Sequence, residues 1–477
     1  MKNIKNILLF LIVVVASSCG ADFLSPEPTS AISAEDYYTT EVQLESAVIN
    51  MYDAIQGVNA FAFSSTSLNH GVQIEFYLTE MRSDNTRTKS GGGLPQELVI
   101  YDAAATNTFV GDYYRSFYNV IFRANTVLAN LGVASEENSA NIEAEAKFVR
   151  AYAYFNLVRL YGDIPLVESI IGIEDTEIQF NRVAASEVYD LIISDLETAV
   201  SGLDNTHKFR ASKAAAQTTL AKVYLTLGTE YLLAQQLLED VMISGYALEP
   251  NFKDVFYNEG NDEIIFAIGF ESDNSNDSQD FSSEWLNGVG RSSGVNYVTD
   301  EAKVVIDALG GNRKEYSYRT DVAEPSQSQV VKYLPNGDNS LDIEPTSANA
   351  RLAGNDFIVL RYSDVLLLHV EAIMAGGNST SVQTALDSFE LVRLRAGLLG
   401  DDDNSITKQE LLDERRVELA FENHRFFDLI RFGEAMNVLS DYSTNNGYNF
   451  SSTDLLLPIP QGEINLSNGA MQQNPGY

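Results

Sequence analysis

The sequence predicts a mainly α-helical fold in which paired helices build one large domain, with a long, irregular, loop-rich insertion carrying short strands. Three observations predict it. Apolar residues recur at helical spacing through most of the chain. Glycines close many of those runs, at Gly162, Gly228, Gly245, Gly376-Gly377 and Gly397. Between about residues 250 and 360 the periodicity breaks into short apolar runs separated by Ser, Asn, Asp and Gly. With 45% hydrophobic and 10% aromatic residues, the chain is too apolar to be disordered and has ample material for a core.

Taken in order, the helical runs are Ala34–Gln56, Asp112–Leu131, Ile142–Tyr161, Ala184–Ser201, Ser212–Leu227 and Glu230–Ser244. After the insertion come Ser363–Ala375, Val382–Arg395 and Thr407–Glu434. Ser33 before Ala34-Glu35-Asp36, and Ser186 ahead of Tyr189 and Asp190, are natural helix starts. Short polar turns join helices whose facing sides carry Ala and aromatic residues, the pattern of tetratricopeptide-like hairpins with an irregular period. Within the insertion, "DEIIFAIGF" and "DFIVLRY" read as strands.

The start of the chain reads as an address. Lys2 and Lys5 precede the apolar run Ile7 to Val15, and Ala16-Ser17-Ser18 lead to Cys19, the one cysteine present. The run is far shorter than the ~20 residues that span a bilayer, so residues 1–18 read as a secretory signal peptide. Cys19 cannot form an internal disulfide, and its setting resembles a bacterial lipobox in which the cysteine is lipidated and begins the mature chain, 19–477. A formal charge of −36 argues against nucleic acid and anionic lipid as partners.

"ERRVELAFENHRFFDLIRFGEA", Glu414 to Ala435, places Glu418, Glu422 and His424 close together, as a hydrolase would need. On one helix, however, Glu418 and Glu422 stack a turn apart and point the same way. A glycosidase sets its pair across the substrate, about 5–10 Å apart. Arg415–Glu418, Glu422–Arg425, Arg425–Asp428 and Asp428–Arg431 are i,i+3 pairs of opposite sign, so this stretch and Arg361, Asp364 and Glu371 read as scaffold. The chain is expected not to be an enzyme. Glycines at "SGGGLPQE" lack the Lys-Ser/Thr of a phosphate loop. The four histidines lack metal-ligand spacing, and no cofactor is expected. Asp273, Ser275, Asp277 and Glu284 follow calcium-loop spacing, but Ser278 replaces the turn glycine, leaving a weak calcium candidate beside the reading of a solvated acidic loop.

"CGADFLSPEP", "AEAKFVRAYAYFNLVRLYGDIPLV" (Ala144–Val167), "LRYSDVLLLHVEA" (Leu360–Ala372) and "LLLPIPQGEINLSNGAMQQNPGY" (Leu455–Tyr477) follow one another along the chain. In that order they resemble the signatures of the SusD/RagB family, the last marking a C-terminal signature region over 360–477. The resemblance implies an outer-membrane, cell-surface lipoprotein of Bacteroidetes, lipid-anchored through Cys19. Such a protein binds a glycan ligand and delivers it to a SusC-like TonB-dependent transporter. The alternatives are a peptide-binding transporter lid of the same family or a surface glycan hydrolase.

Sugar rings stack on aromatic faces while Asn, Asp and Arg hold hydroxyls. Two stretches stand outside core-like spacing: Glu75–Gly93 and Asp280–Tyr297. The resemblance places glycan contacts in these same regions. Candidate carbohydrate-binding residues are therefore Trp285, Tyr297, Tyr77, Arg82, Asp84 and Asn85, with turn capping an equal reading for Asp84 and Asn85. Arg87, Lys89 and Arg291 fit either an anionic glycan or ordinary surface charge. Trp285, the one tryptophan, lies between Asp280-Phe281-Ser282-Ser283-Glu284 and Asn287-Gly288, a polar setting that predicts a partly exposed indole.

Overall fold

The computed structural model describes residues 37–59, 61–62, 69–88, 92–172, 175–286, 296–321, 324–399 and 404–477. The leader, Cys19 and the Ser33-Ala34 start expected for the first helix lie outside these residues.

Among the described residues six long helices precede the insertion: α1 (Glu41–Gln56), α2 (Thr108–Ala129), α3 (Ser139–Tyr161), α4 (Ala185–Gly202), α5 (Lys213–Leu227) and α6 (Tyr231–Met242). Each packs chiefly on its neighbours in the chain, so the helices stack as successive hairpins. Local chemistry sets their ends. α1 begins at a capping box in which Thr40 N donates to Gln43 Oε1 at 2.9 Å and Gln43 N to Thr40 Oγ1 at 3.4 Å. Ser212 Oγ accepts from Ala215 N at 3.1 Å to start α5, and Gly228, with φ of 66°, ends it in the left-handed region.

Short strands fasten the insertion. β1 (Thr86–Thr88) pairs with β3 (Asn296–Val298), β2 (Ile264–Ile268) with β6 (Phe357–Arg361), and β4 (Tyr318–Thr320) with β5 (Ser328–Val330), all antiparallel. The two strands read from sequence are thus partners, closing the insertion at its base with Ile264 opposite Arg361. A helix the periodicity does not predict, α7 (Asp300–Leu309), follows β3. Beyond the insertion, α8 (Tyr362–Met374) packs directly on α6 and then on α9 (Gln383–Arg395), so the hairpin stack runs on past the interruption.

The helix expected over Thr407–Glu434 is broken. α10 (Lys408–Glu418) ends, α11 (Arg425–Arg431) begins anew, and α12 (Ala435–Asn446) follows. Phe421 and Asn423 sit in the left-handed region, at φ of 67° and 65°. Both are held by the segment ahead of β1: Phe421 N donates to Glu80 Oε1 at 3.2 Å, and Thr79 Oγ1 donates to Asn423 Oδ1 at 2.9 Å. Of the four i,i+3 pairs expected, the structure forms Asp428–Arg431, at 2.8 Å. The charges of the other three find partners far away in sequence.

Those partners make a buried ionic network. Glu418 accepts from Arg361 Nη1 at 2.5 Å, from Arg313 Nη1 at 2.7 Å and from Arg395. Glu422 is gripped by Arg361, Nε to Oε2 at 2.7 Å and Nη2 to Oε1 at 2.9 Å, and by Lys332 Nζ at 2.6 Å. Glu263 accepts from Arg361 at 2.7 Å and Arg395 at 2.9 Å. Arg313, Lys332 and Arg361 belong to the insertion, so these pairs weld it to α9 and α10. Burial alone would raise the Glu418 carboxyl, but the three guanidiniums hold it well below the usual range.

The C-terminal segment ties back to the first helices. Leu457 N donates to Leu160 O at 2.7 Å, Asn474 Nδ2 to Tyr161 O at 2.9 Å, and Arg182 Nη1 to Gln472 O at 2.7 Å.

Neutralising one centre of the network leaves buried guanidiniums without their counter-charge. Glu418→Gln is expected to destabilise the protein by about 3–5 kcal/mol, read as a lower denaturation midpoint with an unchanged m-value.

Candidate functional site

The two stretches singled out in sequence meet across one strand pair. β1 comes from Glu75–Gly93 and β3 from Asp280–Tyr297 and its continuation; Thr86 faces Val298, Arg87 faces Tyr297 and Thr88 faces Asn296. Strand alternation then sorts the side chains. Thr86, Thr88, Asn296 and Val298 are buried, whereas Arg87 and Tyr297 are half-buried on the outer side. Arg87 Nε donates to the Tyr297 hydroxyl at 2.7 Å, and its guanidinium lies 5.1 Å from the Tyr297 ring centroid. A further bond, Arg87 Nη1 to Asn446 Oδ1 at 3.3 Å, links the pair to the end of α12. The strand pair continues into α7, because Thr299 Oγ1 donates to Asp84 O at 2.7 Å while accepting from Ala302 N at 3.1 Å. Of the six residues expected to hold sugar, Tyr297 keeps an accessible face.

The other five are interior. Trp285 is 2% exposed, its ring 5.6 Å from Phe76 and 6.1 Å from Phe421. The polar neighbours that predicted exposure bond to one another instead. Gln279 Nε2 donates to Ser282 Oγ at 2.7 Å, Ser282 N to Gln279 Oε1 at 3.0 Å and Ser283 Oγ to Asp280 O at 2.8 Å. Tyr77 stacks on Phe109 at 4.0 Å and donates its hydroxyl to Glu284 Oε2 at 2.9 Å. Arg82 donates to the carbonyls of Leu78, Asp454 and Leu456 and lies 4.4 Å above Phe426. Asp84 is clasped by Arg416 and Arg425, both at 2.9 Å, and Asn85 accepts from Arg416 Nε at 2.8 Å and donates to Glu80 Oε1 at 3.0 Å. These groups clamp the segment beneath α10 and α11, and none presents itself to a ligand. Lys89 and Arg291 lie outside the described residues.

One exposed contact was missed. Phe61, 41% exposed, carries the Arg351 guanidinium 3.6 Å from its ring centroid. Asn59 builds this patch: its Oδ1 accepts from Phe61 N at 2.9 Å and Ala62 N at 3.2 Å, and its Nδ2 donates to Arg351 O at 2.9 Å. The sequence signal available was an asparagine turn followed by an aromatic outside helical spacing.

The chemical candidates are not arranged for their expected roles. Asp273 accepts from Ser347 Oγ at 2.8 Å and from the amides of Ala348 and Asn349 at 3.0 and 3.1 Å. Asp277 accepts from Asn274 at 2.8 Å, and Glu284 is buried against Tyr77, so the calcium-like spacing does not converge. Among the described residues no cluster of three or more His, Cys, Asp or Glu is placed to hold a metal. Burial would raise Glu422, yet Arg361 and Lys332 keep it below its ordinary value, while burial and then Lys222 drive His424 down to about 3. Carboxylates gripped by Arg and Lys beside an imidazole of lowered pKa are not poised as general acids.

The geometry is that of a helical-hairpin scaffold whose loops, rather than its core charges, meet solvent. Residues 234–477 match the model of the SusD family, and residues 22–225 match a model described as starch-binding associating with outer membrane. The chain belongs to the SusD family. It is similar to SusD-like protein P2 of Formosa agariphila, 27% identical over 518 residues that take in 99% of this chain and all of that one. It shares its fold with a laminarin binding SusD-like protein, at 24% identity and TM-score 0.75, over 92% of this chain and all of that one. A surface glycan-binding protein A from Bacteroides thetaiotaomicron, solved in complex with laminarihexaose, superposes with TM-score 0.74 at 21% identity over 91% of this chain and all of that one.

Because Trp285 is a packing residue, Trp285→Ala is expected to cost about 3–5 kcal/mol of stability through the cavity it opens. Thermal unfolding of the variant checks this; an unchanged melting temperature would contradict the burial.

Proposed function

We propose that this protein captures glycans at the bacterial surface and passes them to a SusC-like TonB-dependent outer-membrane transporter, without cleaving them. The observation that carries the reading is the joining of two separate loop segments by β1 and β3, which sets Arg87 and Tyr297 on one outer face. A cation stacked beside a phenol offers both an apolar ring surface and hydrogen-bond donors, the combination a sugar ring needs. Membership of the SusD family supports the ligand class, since relatives are named for binding laminarin or were solved with laminarihexaose. The absence of a usable acid among Glu418, Glu422 and His424 supports binding over hydrolysis.

A panel of polysaccharides, scored for retardation in native gels and for reducing-sugar release, tests the reading. Retardation without release is expected, weakened in Tyr297→Ala and Arg87→Ala by about 1–3 kcal/mol. Product release would make the protein a hydrolase. Binding of peptides but of no glycan would make it a peptide lid.

The anchor rests on the sequence around Cys19. Cys19→Ala, expressed in a Bacteroidetes host, is expected to lose both outer-membrane fractionation and co-purification with a large barrel protein. Retention of both by the variant would remove the lipid from the account.

A further inference from the structure

Three arginines near solvent each hold an acid: Arg115 pairs with Asp112 at 2.5 Å, Arg123 with Asp53 at 2.5 Å and Arg210 with Glu45 at 2.6 Å. Arg87, half-buried on the β1/β3 face, holds none. Among the described residues its polar partners are the Tyr297 hydroxyl, through Nε at 2.7 Å, and Asn446 Oδ1, through Nη1 at 3.3 Å, while Nη2 makes no hydrogen bond. The acids that follow β3 at the start of α7 are turned elsewhere. Asp300 pairs with Lys303 at 2.5 Å, and Glu301 accepts from Asn446 Nδ2 at 3.3 Å. Because the Tyr297 oxygen accepts from Arg87, its own proton is free to be donated, and so are those on Nη2. Both groups therefore donate outward, beside a positive charge that no carboxylate touches. Tyr448, half-buried just beyond α12, acts electrostatically on the same guanidinium and packs edge to face on Tyr442 at 5.9 Å.

We propose that the β1/β3 face takes an acidic sugar residue of a sparsely charged glycan, its carboxylate or sulfate accepting from Arg87 Nη2 and from the Tyr297 hydroxyl. This rests on the glycan reading above and specifies which glycan. A neutral sugar hydroxyl can accept one of these bonds, but it leaves the half-desolvated charge unbalanced. An anion accepts from both donors and balances the charge, and hydrogen bonds between charged partners are about twice as strong as neutral ones. The formal charge of −36 repels a dense polyanion, so the acid groups that fit are spaced apart along the glycan. At physiological salt that repulsion is screened beyond about 8 Å, whereas direct contact with Arg87 is screened far less.

Calorimetric titration of the full chain at about 0.15 M salt tests the assignment, using glucuronoxylan and lightly sulfated agar, each beside its carboxyl-reduced or desulfated form. At least one acidic form is expected to bind about tenfold or more tightly than its neutral counterpart. Arg87→Gln is expected to abolish that difference, Tyr297→Phe to reduce it, and Arg87→Lys, which keeps the charge, to retain part of it. Melting temperatures identify a variant that fails to fold, and the conservative Arg87→Lys and Tyr297→Phe keep the test standing if Arg87→Gln does. Equal affinity for acidic and neutral forms, or a preference that survives Arg87→Gln, overturns the proposal and leaves glycan capture in place. Polyglutamate bound as tightly as the acidic glycan overturns the sugar class at this face. Binding of a neutral polysaccharide from the panel above, but of neither acidic one, overturns this proposal alone, whereas no binding of any glycan removes the functional reading with it.

Discussion

Three guanidiniums converge on the carboxylate of Glu418, and much of the molecule is arranged to permit it. Arg313 and Arg361 arrive from the insertion and Arg395 from α9, while Glu418 closes α10. Each charge lost its water on folding, so each must keep its partners within hydrogen-bond reach. That requirement fixes where the insertion lies on the helical stack. It also fixes the turn after Glu418, where Glu422 must swing back to meet Lys332 and Arg361. The left-handed backbone at Phe421 and Asn423 is the conformational cost of that return.

The same arrangement consumes cations. The chain has 31 lysines and arginines against 67 acids, and Arg82, Arg150, Arg313, Arg361, Arg415, Arg416, Arg425, Lys222 and Lys332 are buried. Acids such as Glu263, Asp364, Glu418, Glu422 and Asp428 are buried with them, so the interior is close to paired and the solvent-facing surface carries most of the acidic excess. Arg87 at the β1/β3 face and Arg351 over Phe61 are cations held near solvent by aromatic rings. Each is a local exception in a negative field, which gives a ligand approaching these rings a defined electrostatic landmark.

Much of the helical stack was legible because its signal is local. Period and terminal glycines place α2 to α6 within a few residues, and the two apolar runs of the insertion proved to be partners. The misreadings share one physical cause: burial achieved by contacts remote in sequence. Asp84 looks like a turn residue until Arg416 and Arg425, more than 300 positions later, close on it. Trp285 looks exposed because the serines beside it are polar, yet Ser282 pairs with Gln279 and Ser283 with the Asp280 carbonyl, leaving the indole to Phe76 and Phe421. The break within Thr407–Glu434 was hidden for a related reason. Its i,i+3 charge pattern is ideal for a continuous helix, and the stronger buried partners are invisible in a local window. Tyr297 lies on a strand that the sequence did not reveal, and alternation along that strand leaves its side chain half-buried on the outer side.

Asn474 holds the carbonyl of Tyr161, and Leu457 holds that of Leu160, so the end of α3 receives its closing bonds from the final stretch of the polypeptide. During synthesis the amino-terminal hairpins emerge long before these partners exist. The end of α3 thus lacks these bonds until residues some 300 positions later have been made, and contacts of such separation carry a large loop-closure cost. Closing the first hairpins therefore waits on a segment distant in sequence, and the early helices stay short of their final bonds while it is made.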